Sequence, residues 1–247
     1  MHVFPLLLAI DTCGPSGSIA LARLAGRDLE ILGQIELEGR TYSAALVAAV
    51  ASLLKSAGAD LHGLGGIVVV NGPGSFTGVR VGISAVKGLA QEPPIPVVAL
   101  SRLEVLSRKS GVPSSALDAH RGQVFLRLER LDAARTGSTP AELLAGAGEL
   151  AAIHPPPVRV AVSDDAAASL IVSVWPGTQL VRALPPVAAD ALRLGEGRLT
   201  AGATADLALL DGHYLRRSDA EIFGPNPTQP NSSEAVAAPA TTRPQTS

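Results

Sequence analysis

The chain has 247 residues with a net charge of −2, 47% hydrophobic residues and 17% charged ones. This balance of charges does not indicate a basic surface for a nucleic acid. The single cysteine, Cys13, excludes an internal disulfide and any multi-cysteine zinc site. The length is long for one domain and short for two full ones, so we expect two lobes that share an interface. Aromatic residues make up only 3%, so the core must consist mainly of Val, Leu, Ile and Ala.

No stretch of the sequence is suited to a membrane or to secretion. Residues 1–10 lack a basic region, and their apolar run stops at Asp11. No run reaches the roughly 18 apolar residues that a membrane helix needs. We therefore expect a cytoplasmic protein without a membrane segment, and for Cys13 a small buried side chain rather than a reactive thiol.

A hairpin with an acidic residue at its first corner opens the chain. Residues 6–10 form an apolar strand that ends at Asp11, residues 13–17 form a turn, and residues 18–22 alternate as the returning strand. This hairpin resembles the opening of actin-like, Hsp70-like and sugar-kinase folds, in which the turn wraps a nucleotide phosphate. The resemblance implies a nucleotide site at Asp11 and Ser16, with Asp11 holding Mg²⁺ through water. The alternative is that Asp11 and Thr12 only satisfy amides of the turn.

A strand at residues 29–37 and a helix at residues 41–57 follow. The helix carries an apolar stripe that includes Leu46, Val50 and Leu53, and Gly58 marks its end. Its outer surface is unusually rich in alanine, which lets another helix approach closely. A subunit interface would provide the second cover for this helix.

The most specific motif is Gly-Pro-Gly-Ser-Phe-Thr-Gly-Val-Arg-Val-Gly at residues 72–82, between an apolar strand at 67–70 and a helix at 77–90. Its glycines permit positive φ and close backbone approach, and Pro73 stiffens the turn. It is not a Walker A loop, because no Lys-Ser/Thr pair follows the glycines. The pattern alone leaves two interpretations open, a tight structural elbow and a site for an anion or a partner.

This motif resembles the signature of the bacterial TsaB family, also called YeaZ. The resemblance implies an α/β protein with the two-lobed actin-like ATPase fold, of the ASKHA or ribonuclease H-like class. It implies a non-catalytic partner of the TsaD-type transferase that makes threonylcarbamoyladenosine in tRNA. A TsaE-type P-loop ATPase is the implied third member, tRNA is contacted only through the complex, and the chain alone is expected to be a homodimer. One departure is that the family's His-Ser pair reads Tyr42-Ser43 here.

The next helix distinguishes this chain from the transferase. After a strand at 95–100, Ser101 and Glu104 form a capping-box pattern. The TsaD family, which shares the Gly-Pro-Gly loop, carries His-x-x-x-His at the corresponding place, and two such histidines on one helical face bind a metal. Here those positions are Arg102 and Leu106. We therefore expect no metal site and no transfer of threonylcarbamoyl by the chain alone.

A second hairpin repeats the opening pattern. A short apolar strand ends at Asp118, a turn containing Gly122 follows, and an alternating strand returns at 124–128. Such a weak duplication is what the two-lobed fold requires. In nucleotide-cleaving relatives both hairpins close on the phosphates, so Asp118 and Gly122 would join the first hairpin in binding ATP and Mg²⁺. The rival function is therefore a stand-alone ATP-dependent small-molecule kinase or ATPase, although the second lobe leaves little chain for two pockets.

The rest of the chain alternates helices with strands, as in the α/β class. We expect a helix at 139–152 with a capping box at its start, a strand at 158–162, a helix at 163–172, a strand at 179–182, and helices at 187–195 and 204–210. A peptidase is disfavoured, because the chain has no Gly-x-Ser-x-Gly elbow and no zinc-binding histidine pair.

These patterns predict a division of the chain and a partner surface. The first lobe spans 1–110, the second spans 111–203, residues 204–223 hold a helix and a Tyr-Leu-Arg segment between the lobes, and 224–247 are disordered for want of large apolar residues. The predicted interface comprises Thr41, Ala44, Ala45, Ala48, Ala49, Gly72, Gly74, Ser75, Phe76, Thr77, Arg80, Ala85 and Gly88.

Overall fold

The structure, a computed structural model, describes residues 6–26, 28–38, 42–131 and 138–216. Thr41 and the predicted disordered tail lie outside these residues. In chain order the elements are β1 Leu6–Asp11, β2 Ser16–Ala25, β3 Asp28–Glu38, α1 Tyr42–Ser56, a short 3₁₀ turn Leu61–Gly63, β4 Leu64–Val70, α2 Phe76–Leu89, β5 Val97–Leu100, α3 Arg102–Ser110, β6 Ser115–Asp118, β7 Val124–Leu131, β8 Ser138–Ala145, α4 Ala147–Ala151, β9 Arg159–Val162, α5 Asp165–Val174, β10 Gln179–Arg182 and α6 Ala188–Thr200.

The first sheet has the strand order β3-β2-β1-β4-β5. The opening hairpin pairs β1 with β2 antiparallel, in the register Asp11↔Ser18, and β4 and β5 add on the other side in parallel. Helices cover both faces. On one face α6 contacts Val68, whereas Ile10, in register with Val69, lies beside α2 on the other. The central strands are therefore buried on both sides, which explains their continuous apolar runs.

The second sheet repeats this arrangement with the order β10-β9-β6-β7-β8. Strands β6, β7 and β8 form an antiparallel meander, and β9 and β10 add to β6 in parallel. Counted from its own first strand, each sheet therefore has the same order. The duplication that the two aspartate-cornered hairpins predict is present in the topology, with Asp11 ending β1 and Asp118 ending β6.

Two helices join the sheets into one compact unit that ends at Leu215. Helix α3 packs against β6, β7 and β9, and its Leu103 and Leu106 lie in an apolar cluster with Phe125. Helix α6 follows the second sheet in sequence but packs against β1, β2, β4 and β5 of the first. It lies within the range predicted for the second lobe, so the division at 1–110 and 111–203 stays a prediction.

The predicted helix at 139–152 is wrong. Residues 138–145 form the edge strand β8, and only Ala147–Ala151 are helical. The register places Leu143 opposite Leu126 and Leu144 opposite Phe125, and the two leucines join different apolar clusters. A strand directs neighbouring side chains to opposite faces, which a helix cannot do. An edge strand also tolerates Pro140, which otherwise favours a helix start.

The predicted helix at 204–210 is also wrong, because this segment is a run of turns without a helix. Isolated hydrogen bonds hold it beside the first sheet. Ala205 donates its N–H to Val97 O at 2.7 Å, and Lys87 Nζ donates to Ala208 O at 3.4 Å. Among the described residues, no helix has the length and apolar character to cross a membrane.

Candidate functional site

The glycine loop packs directly on the first hairpin. Ser75 donates its N–H to Cys13 O at 2.8 Å, and its hydroxyl caps α2 by accepting the Gly78 N–H at 3.2 Å. Gly72 has φ +117° and a Cβ there would lie 2.8 Å from His213 O. A Cβ at Gly74 or Gly78 would collide with the backbone oxygen of Cys13 or Thr12. These contacts support the structural elbow, because the glycines are required for backbone packing alone.

Thr12 fixes the start of α2 to the end of β1. Its hydroxyl donates to Gly78 O at 2.6 Å, and a Cβ at Gly82 would lie 2.5 Å from the same hydroxyl. Asp11 accepts the N–H of Cys13 at 2.9 Å. Asp11 therefore satisfies a turn amide, as the alternative interpretation predicts, whereas Thr12 binds the helix instead.

Arg102 and Asp11 form an ion pair beneath the hairpin turn. Arg102 Nε lies 3.4 Å from Asp11 Oδ2, and the two side chains are only 9% and 2% exposed. The guanidinium packs so closely against Gly14 that a Cβ there would collide with it. The charge of Arg102 is thus buried beside Asp11 of the first hairpin. By the resemblance to the transferase family, Arg102 stands at the position expected for the first histidine of the metal pair.

Tyr42 closes the other side of the turn. Its hydroxyl donates to Gly14 O at 2.9 Å, and a Cβ at Gly17 would lie 2.8 Å from its ring. Burial, together with the negative charge of Asp11, raises the pKa of Tyr42 to about 12. Burial likewise raises the pKa of the Cys13 thiol, which lies 3.1 Å from Val70 O. Cys13 is thus a buried thiol without reactive character.

The residues of the first hairpin do not fit a nucleotide with Mg²⁺. Both oxygens of Asp11 already have partners, and Arg102 and Tyr42 cover the turn that a phosphate would need. Ser16 is exposed at the start of β2.

In the second hairpin Asp118 accepts the N–H of His120 at 2.8 Å, and Gly122 takes φ +72° in the turn. Each aspartate therefore organises its own hairpin. In the described ranges, no group of three or more acidic, His or Cys side chains could hold a metal ion.

The chain returns over the glycine loop in a segment that we call the strap, residues 211–215. His213 donates its N–H to Asn71 O at 2.7 Å, and Asn71 Nδ2 donates to Asp211 O at 3.2 Å. The Tyr214 ring lies 4.8 Å from that of Phe76, centroid to centroid. Leu215 packs into the apolar cluster of α3. The strap therefore covers Gly72 and ties the glycine loop to the region of α3.

Glu142 on β8 is a polar centre that the sequence patterns missed. Its carboxylate accepts hydrogen bonds from Ser101 Oγ and Arg127 Nη1, both at 2.6 Å, and lies 2.8 Å from His213 Nε2. Burial alone would raise the pKa of Glu142, but the hydrogen bonds from His213, Ser101 and Arg127 together hold it below its ordinary value. The sequence pattern predicts a helix here and places Glu142 in its capping box, and no local signal identifies its partners.

The same contacts account for the absence of hydrolase geometry around Ser101. The carboxylate of Glu142 lies between the Ser101 hydroxyl and the His213 ring, so the imidazole is not bonded to the hydroxyl. Ser101 also accepts the Leu103 N–H as the cap of α3. Only half of the predicted capping box forms, because Glu104 pairs with Arg198.

The predicted partner surface is largely but not wholly exposed. Ala49 and Gly72 are buried within the chain, so a charge at Ala49 would test folding rather than association. Next to the exposed side of α1 lies an apolar groove of about 420 Å³, whose rim includes Val47 at 59% exposure. Two of the predicted residues, Ala45 and Ala85, are half-buried. The exposed ones are Ala44, Ala48, Gly74, Ser75, Phe76, Thr77, Arg80 and Gly88.

Comparisons with known proteins agree with this architecture. Residues 33–154 match the family model of TsaD, tRNA N6-adenosine threonylcarbamoyltransferase. The chain is 40% identical over 126 residues to the tRNA threonylcarbamoyladenosine biosynthesis protein TsaB of Bacillus subtilis, covering 49% of this chain and 54% of that protein. It is 33% identical over 125 residues to TsaB of Escherichia coli, covering 48% and 52%. The chain thus spans about half the length of the curated relatives it matches.

Solved structures extend the likeness to both sheets. YeaZ from Pseudomonas aeruginosa superposes with a TM-score of 0.67 at 26% identity, covering 85% of this chain and 100% of that chain. A second structure, described as an uncharacterized protein with similarity to peptidase YEAZ from Pseudomonas aeruginosa, gives 0.67 at 27% identity, with 86% and 100% covered. The two repeated sheets are thus those of the actin-like, ribonuclease H-like fold. Together with the residue 72–82 motif, these comparisons show that the chain resembles TsaB (YeaZ) proteins, over about half of its length in sequence and across both sheets in structure.

Proposed function

We propose that this chain is a non-catalytic partner subunit of a TsaD-type transferase in the threonylcarbamoyladenosine modification of tRNA. The observation that carries the proposal is the buried pair of Arg102 and Asp11. By the resemblance to the transferase family, Arg102 stands where the first metal-binding histidine is expected, and Tyr42 closes the first hairpin. The chain thus combines the fold of the transferase with the loss of its metal-binding position. This combination suits a subunit that supports a catalytic relative. Such a role belongs in the cytoplasm, where tRNA is modified.

The surface that suits the transferase is the exposed side of α1 and α2. Ala44 and Ala48 present small side chains that allow a partner helix to approach closely, and Val47 offers apolar area at the rim of the groove. Apolar area removed from water contributes roughly 25 cal/mol per Å². The same face serves self-association when the partner is absent. A TsaE-type ATPase and tRNA are reached through the complex, because a chain of net charge −2 offers few phosphate contacts itself.

The test is a glutamate at Ala48, compared with a glutamate at Ala166. Both alanines are exposed on helices, but Ala166 lies on α5, which packs against the second sheet, away from the proposed face. We expect Ala48→Glu to remove both self-association in light scattering and capture of the TsaD-type protein. An uncompensated charge costs several kcal/mol in an interface and little in water. Ala166→Glu should behave as wild type, and both variants should melt normally.

Reconstitution of the modification provides the functional measurement. With purified TsaD-type and TsaE-type proteins, ATP and an activated threonylcarbamoyl donor, tRNA should acquire threonylcarbamoyladenosine only when this chain is added. Neither this chain alone nor the Ala48→Glu variant should support the transfer. If Ala48→Glu keeps both associations, the interface lies elsewhere. If wild type neither binds the transferase nor stimulates it, the proposed function is wrong.

A further inference from the structure

We propose that Phe76, Arg80 and Tyr214 form a composite docking site for a protein segment that presents a carboxylate beside an apolar side chain. We call this group the aromatic platform. The inference rests on the proposed function and specifies the chemistry that the TsaD-type partner presents here. It adds a residue of the strap, Tyr214, to the surface of α1 and α2.

The three side chains hold one another in place. Phe76 and Arg80 lie one turn apart on α2, and the guanidinium carbon of Arg80 is 3.9 Å from the centre of the Phe76 ring. The rings of Phe76 and Tyr214 are 4.8 Å apart and tilted by 43°. Arg80 Nε donates to the Tyr214 hydroxyl at 3.4 Å. A surface whose side chains are ordered in advance loses little conformational entropy when a partner binds.

The platform places aromatic side chains on the surface of a protein that has few of them. Phe76 is 37% exposed and Tyr214 is 36% exposed, in a sequence with only 3% aromatic residues. Exposed aromatic rings beside an arginine are the composition that dominates the energetics of protein interfaces. Two of the few aromatic side chains are therefore placed together on the surface rather than in the core.

The charge of Arg80 indicates what the partner must carry. Within the described residues, no ion pair links Arg80 to a carboxylate, and two rings orient it instead. Arg80 is exposed, and a guanidinium can bind a carboxylate in the two-point geometry that lysine lacks. The rings beside it offer apolar contact. The complementary segment therefore pairs an Asp or Glu with an aliphatic, aromatic or proline side chain.

A protein segment fits this site better than a nucleic acid. Aromatic rings also stack on unpaired bases, but binding to RNA draws mainly on multiple phosphate contacts. This chain has a net charge of −2, and Asp211 and Asp206 lie exposed on the same C-terminal run as Tyr214. One arginine in this setting suits a single carboxylate rather than a polyanion.

The strap determines whether the platform is complete. Tyr214 follows His213, whose backbone N–H binds Asn71 O and whose ring binds Glu142. Because His213 holds the strap but is not part of the platform, it is a positioning residue. Removing the His213 side chain should free the strap and displace Tyr214. Binding of the partner should then weaken, although no side chain that contacts the partner has been removed.

The test measures the affinity of the full chain for the purified TsaD-type protein by calorimetry. We expect Phe76→Ala, Tyr214→Ala and Arg80→Ala each to weaken binding about tenfold or more, as interface centres do. Arg80→Lys should recover only part of the loss, and the salt dependence should flatten in Arg80→Ala. His213→Ala should weaken binding to a smaller degree and add little to Tyr214→Ala in the double variant.

Matched controls separate this site from general surface effects. Arg182→Ala removes an exposed arginine on β10, and Leu209→Ala removes an apolar side chain that is 80% exposed on the same C-terminal run. Both should bind as wild type. If Phe76→Ala fails to fold, Arg80→Glu tests the same prediction, because Arg80 is exposed and its hydrogen bond to Tyr214 lies on the surface.

Each outcome decides the proposal. If the platform variants bind the transferase within twofold of wild type while Ala48→Glu does not, this inference is wrong and the proposed function stands. If they lose affinity for tRNA but not for the transferase, the platform binds RNA and the inference is also wrong. If wild type does not bind the transferase at all, both are overturned.

Discussion

Glu142 illustrates how one residue can connect parts of the chain that local patterns keep separate. Its partners are Ser101 at the start of α3, Arg127 on β7 and His213 in the strap. The side chains of Glu142 and Arg127 are only 8% and 13% exposed. A buried carboxylate with so many donors is stable only while it is charged, and the cation beside it needs that charge in turn.

The lowered pKa of Glu142 predicts a specific loss of stability in acid. Because its pKa is lower in the folded state, Glu142 contributes stability that is complete above the ordinary pKa, about 4.3. That contribution is lost as the pH falls from there through the folded-state pKa. We expect Glu142→Gln to unfold more easily at neutral pH, by about 2 kcal/mol. Its free energy of unfolding should then fall less steeply than that of wild type below about pH 5.

The measurement is urea unfolding of both proteins across this range of pH. Glu149→Gln is a suitable control, because Glu149 is exposed and accepts the exposed backbone N–H of Gly146. Parallel pH profiles for wild type and Glu142→Gln would contradict the assignment of the acid transition to this carboxylate.

Tyr42 stands where the resemblance to the TsaB family leads one to expect a histidine. Its hydroxyl donates to Gly14 O, and its ring packs against Gly17. With its pKa raised to about 12 by burial and by Asp11, the hydroxyl stays protonated at neutral pH and remains a donor. A role that depends on proton exchange by a histidine cannot pass to this residue, whereas a packing role can.

At the scale of elements, α2 is fixed to the hairpin by glycines on one face only. A Cβ at Gly78 would collide with the carbonyl of Thr12, whereas a Cβ at Gly88, on the same helix, would meet nothing within 4 Å. Helix propensity alone favours alanine over glycine at both positions by about 1 kcal/mol. Packing must therefore decide whether each substitution raises or lowers the free energy of unfolding.

We expect Gly78→Ala to lower the free energy of unfolding by roughly 1–3 kcal/mol, because α2 must move away from β1. Gly88→Ala should raise it by up to about 1 kcal/mol. Chemical denaturation of the two variants at low protein concentration measures both effects. Equal destabilisation by both substitutions would show that α2 is not seated on the hairpin as described.

Elements that depend on neighbouring residues could be predicted, and those that depend on distant partners could not. The first hairpin, α1 and the glycine loop carry their signals locally, in alternation, helical spacing and turn residues. Strand β8 does not, because Thr139, Pro140 and Glu142 imitate a helix start and only pairing with β7 makes the segment a strand. The strap is similar: its place depends on Asn71 and Phe76, far away in sequence.

The same distinction applies to the candidate site. The motif at residues 72–82 indicates the resemblance to TsaB proteins, because a run of eleven residues is a specific signal. The absence of a histidine pair could also be read directly. That Arg102 would pair with Asp11 could not be predicted, since nothing in the sequence relates the end of β1 to the start of α3. The resemblance to nucleotide-binding hairpins predicts a phosphate site at Asp11, whereas the structure pairs this carboxylate with Arg102.

At the scale of the whole molecule, two sheets of equal topology are joined by elements that cross between them. Helix α6 packs on the first sheet after the chain has built the second, and the strap brings His213 to Glu142 on β8. The resemblance to nucleotide-cleaving folds implies a phosphate and Mg²⁺ between the two hairpins. Here Arg102 pairs with Asp11, so its guanidinium lies beside the carboxylate where hydrated Mg²⁺ would bind. The repeated architecture is thus kept, with a guanidinium in place of the metal at the first hairpin.

This replacement predicts that the chain does not bind ATP with Mg²⁺ at the first hairpin. For Asp11 to receive hydrated Mg²⁺, Arg102 would have to leave a site in which its side chain is 9% exposed, and separating a buried ion pair costs about 3–5 kcal/mol. Calorimetry with ATP and Mg²⁺ at about 1 mM, a concentration that reveals even weak binding, should give no saturable heat. The TsaE-type ATPase in the same buffer provides the positive control. A Mg²⁺-dependent heat that Asp11→Ala abolishes would instead favour the rival kinase or ATPase, because only a site at this hairpin would need that carboxylate.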